Sequence, residues 1–270
     1  MKSPQILLTN DDGIKSPGLW AAAAALSELG FVHVAAPRDQ FSGAGRCLSQ
    51  ISDGVIDTQK LVVNGREWDV HAVGGTPAQV VMHGALEIMQ EPPDLVVSGI
   101  NYGENLGTGI TASGTVGAAI EAAELGFPAL AISLETEPHH HLSYSEEVDF
   151  STAAYFTKYF ARVLLEKQFP FDVDLLKVDV PCGATPKTDW KITRLSHMRY
   201  FVPTLPERDS WDIPEYFGYK IGDNPEDDDT DTDVYALRVE GVVAVTPLST
   251  DLTSRVDFEK IGRIIQSGAG

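Results

Sequence analysis

Asn10-Asp11-Asp12-Gly13 closes the first apolar run of the chain, Gln5–Asn10. Adjacent carboxylates at a strand end repel each other, and the repulsion needs a partner. A hard divalent cation such as Mg²⁺ or Mn²⁺ supplies it, because such ions prefer oxygen ligands. Gly13 lets the backbone turn so that neighbouring side chains converge. The other use of such a run is a solvated turn in which one aspartate caps the following helix. A second segment, Gly99–Thr115 (GINYGENLGTGITASGT), is glycine-rich and ends in Ser113-Gly114-Thr115 where a helical pattern begins. Free amides and the positive end of a helix dipole make such a place an anion site. Ser113 or Thr115 adds a hydroxyl there, and Asn101 offers an amide oxygen to the same cation. Alone, this segment reads equally as a helix cap behind a permissive loop. It is neither GxGxxG nor GxxxxGKS/T, which argues against a dinucleotide or P-loop site. A third segment, Arg38–Gly45, carries Ser42 as a metal ligand, a phosphate donor or a plain turn residue. A cation site beside an anion cradle is the equipment of a phosphate-ester hydrolase. In that reading Asp11 and Asp12 are catalytic, orienting or deprotonating an attacking water, and the amides of the SGT turn stabilise the charge that grows on phosphorus.

The elements that must position these groups follow from periodicity and punctuation. Gln5–Asn10 is a buried strand. Pro17 opens and Gly30 closes an Ala-rich helix, and Val32–Ala36 is a second strand. This β-loop-α-β order predicts an α/β fold with a doubly wound, mostly parallel sheet, whose ligand site lies at the carboxyl ends of the strands. Residues 55–73 read as a hairpin around Asn64-Gly65. A helix over 77–90, a strand at Asp94–Ser98, a helix at Ser113–Leu125 and a strand at Pro128–Ser133 complete a second βαβ unit. Phe156, Phe160, Val163 and Leu164 mark an amphipathic helix over about 146–167. Strands follow at Leu175–Val180 and Trp190–Leu195. Val234–Val245 reads as a strand pair broken at Glu240-Gly241, and about 253–266 as a closing helix. Residues 200–233 hold four prolines and an acidic run, too long for an ordinary connection, and read as an arm or lid. One domain spanning 1–270 is expected, with about 200–245 as the arm or hairpin region.

The formal net charge of −19 disfavours nucleic-acid backbones and anionic membrane surfaces as partners. It also repels anionic small substrates unless cations or backbone dipoles offset it locally, so a phosphatase reading needs its metal. No signal peptide and no run of 18 apolar residues is visible, which fits a cytoplasmic protein. Cys47 and Cys182 lack metal-binding spacing and read as reduced structural thiols. His139-His140-His141 imitates a metal site but sits in a polar, Pro-led loop without carboxylates at ligand spacing. Asp227–Asp233 imitates an EF-hand start, yet position 6 is Thr232 and position 12 is Arg238, so no calcium loop is expected. Trp190, Trp211, Tyr216, Phe217 and Tyr219 are either a base-stacking surface or packing aromatics.

Taken together, ILLTNDDGI-x-SPG (6–18), AAP…FSGAG (35–45), GGTPA (74–78), SGIN-x-G-x-NLG (98–107) and SGTVGAAIEA (113–122) resemble the SurE family of stationary-phase survival nucleotidases. PALAIS (128–133), VDVP (178–181, similar to the family's NVNVP), TDVYAL (232–237) and VAVTPLSTDLT (243–253) extend the likeness over nearly the whole chain. The resemblance implies a Rossmann-like core and a divalent-metal-dependent phosphatase acting on nucleoside monophosphates. The 5′ and also 3′ positions, and short polyphosphate, are within its reach. It further implies a homodimer or homotetramer that exchanges C-terminal arms. Carried over by position, the metal ligands are Asp11, Asp12, Ser42 and Asn101, with Asn10 near the metal and Ser113, Gly114 and Thr115 around the phosphate. The chain departs from the family at Gln79 (usually Asp), Gly109 (usually Asp) and Ala112 (usually Tyr). These departures bear on substrate preference and loop closure. Two other readings are a haloacid-dehalogenase-type phosphatase, which wants Asp-x-Asp rather than adjacent aspartates, and a non-catalytic nucleotide-binding protein on the same fold.

Overall fold

Every residue but 1, 64, 142, 143, 146, 269 and 270 is described in the computed structural model. In chain order the elements are β1 Gln5–Thr9, α1 Pro17–Leu26, β2 Phe31–Pro37, β3 Ile56–Val63, β4 Arg66–Val73, α2 Pro77–His83 (extended by a wider turn, Gly84–Ile88), β5 Leu95–Tyr102, α3 Gly114–Glu124, β6 Ala129–Leu134, α4 Ser151–Glu166, β7 Leu175–Val180, β8 Trp190–Ile192, β9 Phe201–Thr204, β10 Gly218–Ile221, α5 Asp233–Tyr235 (extended by Ala236–Glu240), β11 Val243–Leu248 and α6 Phe258–Ser267. Nine strands form one sheet in the order β3-β4-β2-β1-β5-β6-β7-β11-β8. The run from β4 to β7 is parallel throughout, while β3 and β11 pair antiparallel with β4 and β7. This is the expected doubly wound α/β architecture.

Alternation along the strands builds two cores. On β1, Ile6 and Leu8 face the layer that contains Leu19 of α1 and Phe156 and Phe160 of α4. Leu7 faces the layer that contains Val80 of α2 and Val116 of α3. All three β1 residues are wholly buried, each worth roughly 1.5–3 kcal/mol relative to exposure. The helices pair accordingly, α1 with α4 and α2 with α3. Because β1 lies between β2 and β5, chain order reverses direction at β1 and leaves a crevice at its carboxyl end. Asp11 and Asp12 sit in that crevice.

Several expectations need correction. Strand β5 runs on to Tyr102, past the expected end at Ser98, and Asn101 lies at its carboxyl end. Helix α4 begins at Ser151, where Asp149 Oδ1 accepts the Ser151 amide at 2.8 Å; Glu146, the expected start, lies outside the described residues. Asn64 also lies outside them, but β3 and β4 pair antiparallel up to Val63 opposite Arg66. The strand pair expected at 234–245 is half helix: Thr232 Oγ1 accepts the Tyr235 amide at 3.2 Å, and Gly241 at φ 65° ends the helix in the left-handed region. The valines there satisfied a strand reading, and the cap before them decided otherwise. Within 200–233, β9 and β10 form a separate two-stranded ribbon whose connecting residues Trp211 and Tyr216 are exposed. Cys47 and Cys182 are free but both lie at the surface, so neither is a core thiol. No described helix is long and apolar enough to cross a membrane.

Candidate active site

The loop after β1 is closed by its own first residue. Asn10 Oδ1 accepts the Gly13 amide at 3.1 Å and its Nδ2 donates to the Gly13 carbonyl at 3.1 Å. Gly13 holds φ 93°, and a Cβ there would also sit 3.1 Å from the Pro37 carbonyl, so the turn requires glycine. The Phe41 amide donates to the Asp11 carbonyl at 2.8 Å, which ties the loop carrying Ser42 to the same strand end.

Both carboxylates are almost fully buried, Asp11 at 4% and Asp12 at 1% exposure. The Thr115 hydroxyl donates to Asp11 Oδ1 at 2.5 Å. Gln40 Nε2 donates to Asp12 Oδ1 at 3.0 Å and the Tyr102 amide to Asp12 Oδ2 at 3.3 Å. The Tyr144 hydroxyl holds the Asp12 carbonyl at 2.8 Å. Among the described residues no lysine, arginine or histidine pairs with either carboxylate. Burial raises the pKa of Asp11, opposed by Thr115 and the amides at the start of α3. Burial raises that of Asp12 further, with the charge of Asp11 adding to it. Two such groups favour an external cation, which would relieve both causes at once.

The remaining expected ligands fit that demand. Ser42, Asn101 and Ser113 line one cavity with Asp11, about 350 Å³ in volume. Asn101 turns its Nδ2 to the Gly103 carbonyl at 2.6 Å, leaving its Oδ1 as an open donor to a metal. Carboxylate, hydroxyl and amide oxygens form a set suited to Mg²⁺ or Mn²⁺. Ser113 caps α3 by accepting the Val116 amide at 3.1 Å, and its own O–H remains to be given to a ligand. Gly114 is pressed against Asp11: a Cβ there would lie 2.7 Å from the Asp11 Cβ. Asn10 and Thr115 are wholly buried and do not line the cavity, so their side chains shape the turn and hold Asp11.

The site also has residues that sequence reading missed, some behind the carboxylates and some lining the cavity. Gln40 and Tyr144 have no motif of their own; only the need of buried carboxylates for donors points to them. Glu104, Arg199, Phe201 and Tyr219 line the cavity, and so does His141. His141 Nδ1 lies 2.7 Å from the Tyr219 hydroxyl, with the rings stacked 6.1 Å apart. The solvated-loop reading of the histidine run thus fails for its last member, while among the described residues no three or more histidine, cysteine or acidic side chains gather into a metal site, at the histidine run or elsewhere. Of the aromatics considered for base stacking, Tyr219 alone reaches the cavity.

The family pattern described as "Survival protein SurE" matches residues 6–201. The chain belongs to the SurE family. It is 43% identical to the 5′-nucleotidase SurE of Thermococcus kodakarensis over 97% of this chain and 98% of that protein. It is 45% identical to the 5′-nucleotidase SurE of Archaeoglobus fulgidus over 94% and 95% of the two chains. The crystal structure of the SurE protein from Aquifex aeolicus superimposes with a TM-score of 0.76 at 31% identity, covering 99% of this chain and 100% of that one. The structure separates this chain's three departures from the SurE pattern. Gln79 lies outside the cavity, at the third position of α2, where it forms a capping box with Thr76 and donates to the Ser49 carbonyl at 2.8 Å. Gly109 and Ala112 line the cavity, where their small side chains leave room.

Proposed function

We propose that this SurE protein hydrolyses nucleoside monophosphates, foremost at the 5′ position, with Asp11, Asp12, Ser42 and Asn101 holding a divalent cation. The observation that carries the reading is the buried pair Asp11 and Asp12, which has no cationic partner among the described residues and adjoins the start of α3. The relatives named 5′-nucleotidase, similar over nearly the full chain, support the substrate class.

When bound, the cation supplies Lewis-acid polarisation of the phosphoryl oxygens and activation of water. The chain's own residues do the rest. The hydroxyl of Ser113 binds the phosphoryl group at the positive end of α3, and the Gly114 and Thr115 amides, which face Asp11, add their positive field there. Asn10 keeps the turn closed, and Thr115 and Gln40 hold the two carboxylates in place. A carboxylate oxygen of Asp11 or Asp12 orients the attacking water and receives its proton. The whole chain acts as one catalytic domain, with the region about 200–245 serving contact between subunits of a homodimer or homotetramer.

The test is a panel of 5′- and 3′-nucleoside monophosphates and short polyphosphate, assayed with Mg²⁺, Mn²⁺ or chelator, with light scattering for assembly. Release of phosphate from 5′-nucleotides that stops with chelator is expected. Release that chelator leaves untouched would overturn the metal reading, and no release from any nucleotide would overturn the function.

A further inference from the structure

A second set of buried charges stands apart from Asp11 and Asp12. Lys177 and Asp179, two residues apart on β7, share one face of the strand and are both wholly buried. Asp233, the first residue of α5, is buried with them. Lys177 Nζ donates at 2.5 Å to Asp179 Oδ2, at 3.0 Å to Asp233 Oδ2 and at 2.8 Å to the Asn105 carbonyl, which uses all three of its hydrogens. Burial alone would lower the Lys177 pKa, but the two carboxylates outweigh it and the ammonium stays charged.

The carboxylates of this triad also hold backbone. Asp179 Oδ1 accepts the Asn105 amide at 2.7 Å, and Asp233 Oδ2 accepts the Gly107 amide at 2.9 Å. Asp233 Oδ1 accepts the Ser196 amide at 2.9 Å, and the Ser196 carbonyl in turn accepts the Thr108 amide at 2.9 Å. Segment 104–109, which gives the cavity Glu104, Asn105 and Gly109, therefore ends its polar backbone bonds on the triad and its neighbours. Segment 194–201, which brings Arg199 and Phe201 to the same cavity, is tied in through Ser196. The expected phosphate and metal groups hang elsewhere, on the β1 loop, on Ser42 and on the start of α3, and none of them bonds to the triad. Three buried charges are costly, and apolar packing often replaces such groups without loss of stability. Their presence here coincides with a cavity wall, Glu104 and Asn105, that lies outside the strands and helices.

We propose that Lys177, Asp179 and Asp233 are positioning residues that fix the 104–109 wall against the nucleoside part of the substrate, independently of the phosphate and metal site. This rests on the nucleotidase reading. The variant Lys177→Asn/Asp179→Asn keeps the net charge of the cluster and an acceptor for the Asn105 amide. It also returns residues 177–181 to the NVNVP pattern noted in the sequence. Steady-state kinetics with a 5′-nucleoside monophosphate should show KM raised roughly tenfold to a hundredfold. Inhibition by inorganic phosphate and Mn²⁺ affinity should stay unchanged. An unchanged KM with a lowered Tm would make the triad merely structural and overturn the proposal. So would a parallel loss of phosphate binding. Asp179→Asn alone leaves a neutral Lys177–Asp233 pair; it serves where the double variant does not fold, and a smaller rise in KM is expected. On the unaltered protein, hydrogen exchange offers an independent check. The amides of Asn105 and Gly107 should exchange as slowly as those of β7, and exchange at free-loop rates would refute the role. If the protein cleaves no nucleotide, the functional reading fails by itself, while exchange and calorimetric binding of a nucleoside monophosphate still decide the wall's role.

Discussion

Replacing Glu104 by glutamine should shift the pH dependence of stability in a defined direction. Glu104 is 2% exposed, its Oε1 accepts the Tyr200 hydroxyl at 2.6 Å, and its Oε2 has no hydrogen-bond partner among the described residues. Burial is the main cause that lifts its pKa from 4.5 to about 7; the Tyr200 hydrogen bond opposes the rise, and the charges of Glu135 and Asp179 add to it. Below about pH 4.5 both folded and unfolded chains hold the proton and nothing is lost. As pH rises towards 7 the unfolded chain releases its proton first, so stability falls, and the loss is complete above 7. A rise of about 2.5 pH units at roughly 1.4 kcal/mol each sets an upper value of roughly 3.5 kcal/mol. Glutamine keeps an acceptor for Tyr200 and never ionises. Its buried amide costs about 1–3 kcal/mol, but at every pH alike. The difference in unfolding free energy, variant minus wild type, should therefore grow by roughly 2–3 kcal/mol between pH 5 and pH 8. Urea unfolding followed by tryptophan fluorescence, with chelator present, measures it. A flat or falling difference would refute the reasoning.

Three further outcomes are expected. Gly114→Ala places a Cβ against the Asp11 side chain, so Mn²⁺ affinity and turnover should fall at least tenfold in calorimetry and phosphate-release assays, with the fold intact by circular dichroism. Thr232→Ala removes the cap of α5 and should cost about 1 kcal/mol in chemical unfolding. Asp11 and Asp12 hold their protons more tightly than an ordinary aspartate, so under the proposed metal binding protons compete with the cation. Mn²⁺ affinity should therefore fall as pH drops from 8 to 6, and an affinity constant across that range would contradict the burial argument.

The parts of this molecule that could be read from sequence were those where one local rule dominates. Pro17 at a helix start, Ser113 before Gly114, and the apolar run Ile6–Leu8 of β1 each admit one structure, and the doubly wound sheet followed from their order. Val234 did not, because strand-forming residues behind a threonine cap satisfy two rules and the cap won. At the site, Asp11, Ser42, Asn101 and Ser113 were visible because strand ends converge at the reversal of strand order. Gln40 and Tyr144 were not, since a hydrogen bond to a partner 28 or 132 residues away leaves no periodic trace. Lys177 is the sharpest case: a lysine within a strand reads as an exposed edge, and only Asp179 and Asp233 make its burial tolerable.

The central claim is that Asp11 and Asp12 hold the metal on which nucleotide hydrolysis depends. Asp12→Asn is the most direct test, because asparagine can still accept the Tyr102 amide while the charge is gone. Turnover of a 5′-nucleoside monophosphate under saturating Mn²⁺ should drop at least a hundredfold in a protein that remains folded. Wild-type turnover in that variant would contradict the account.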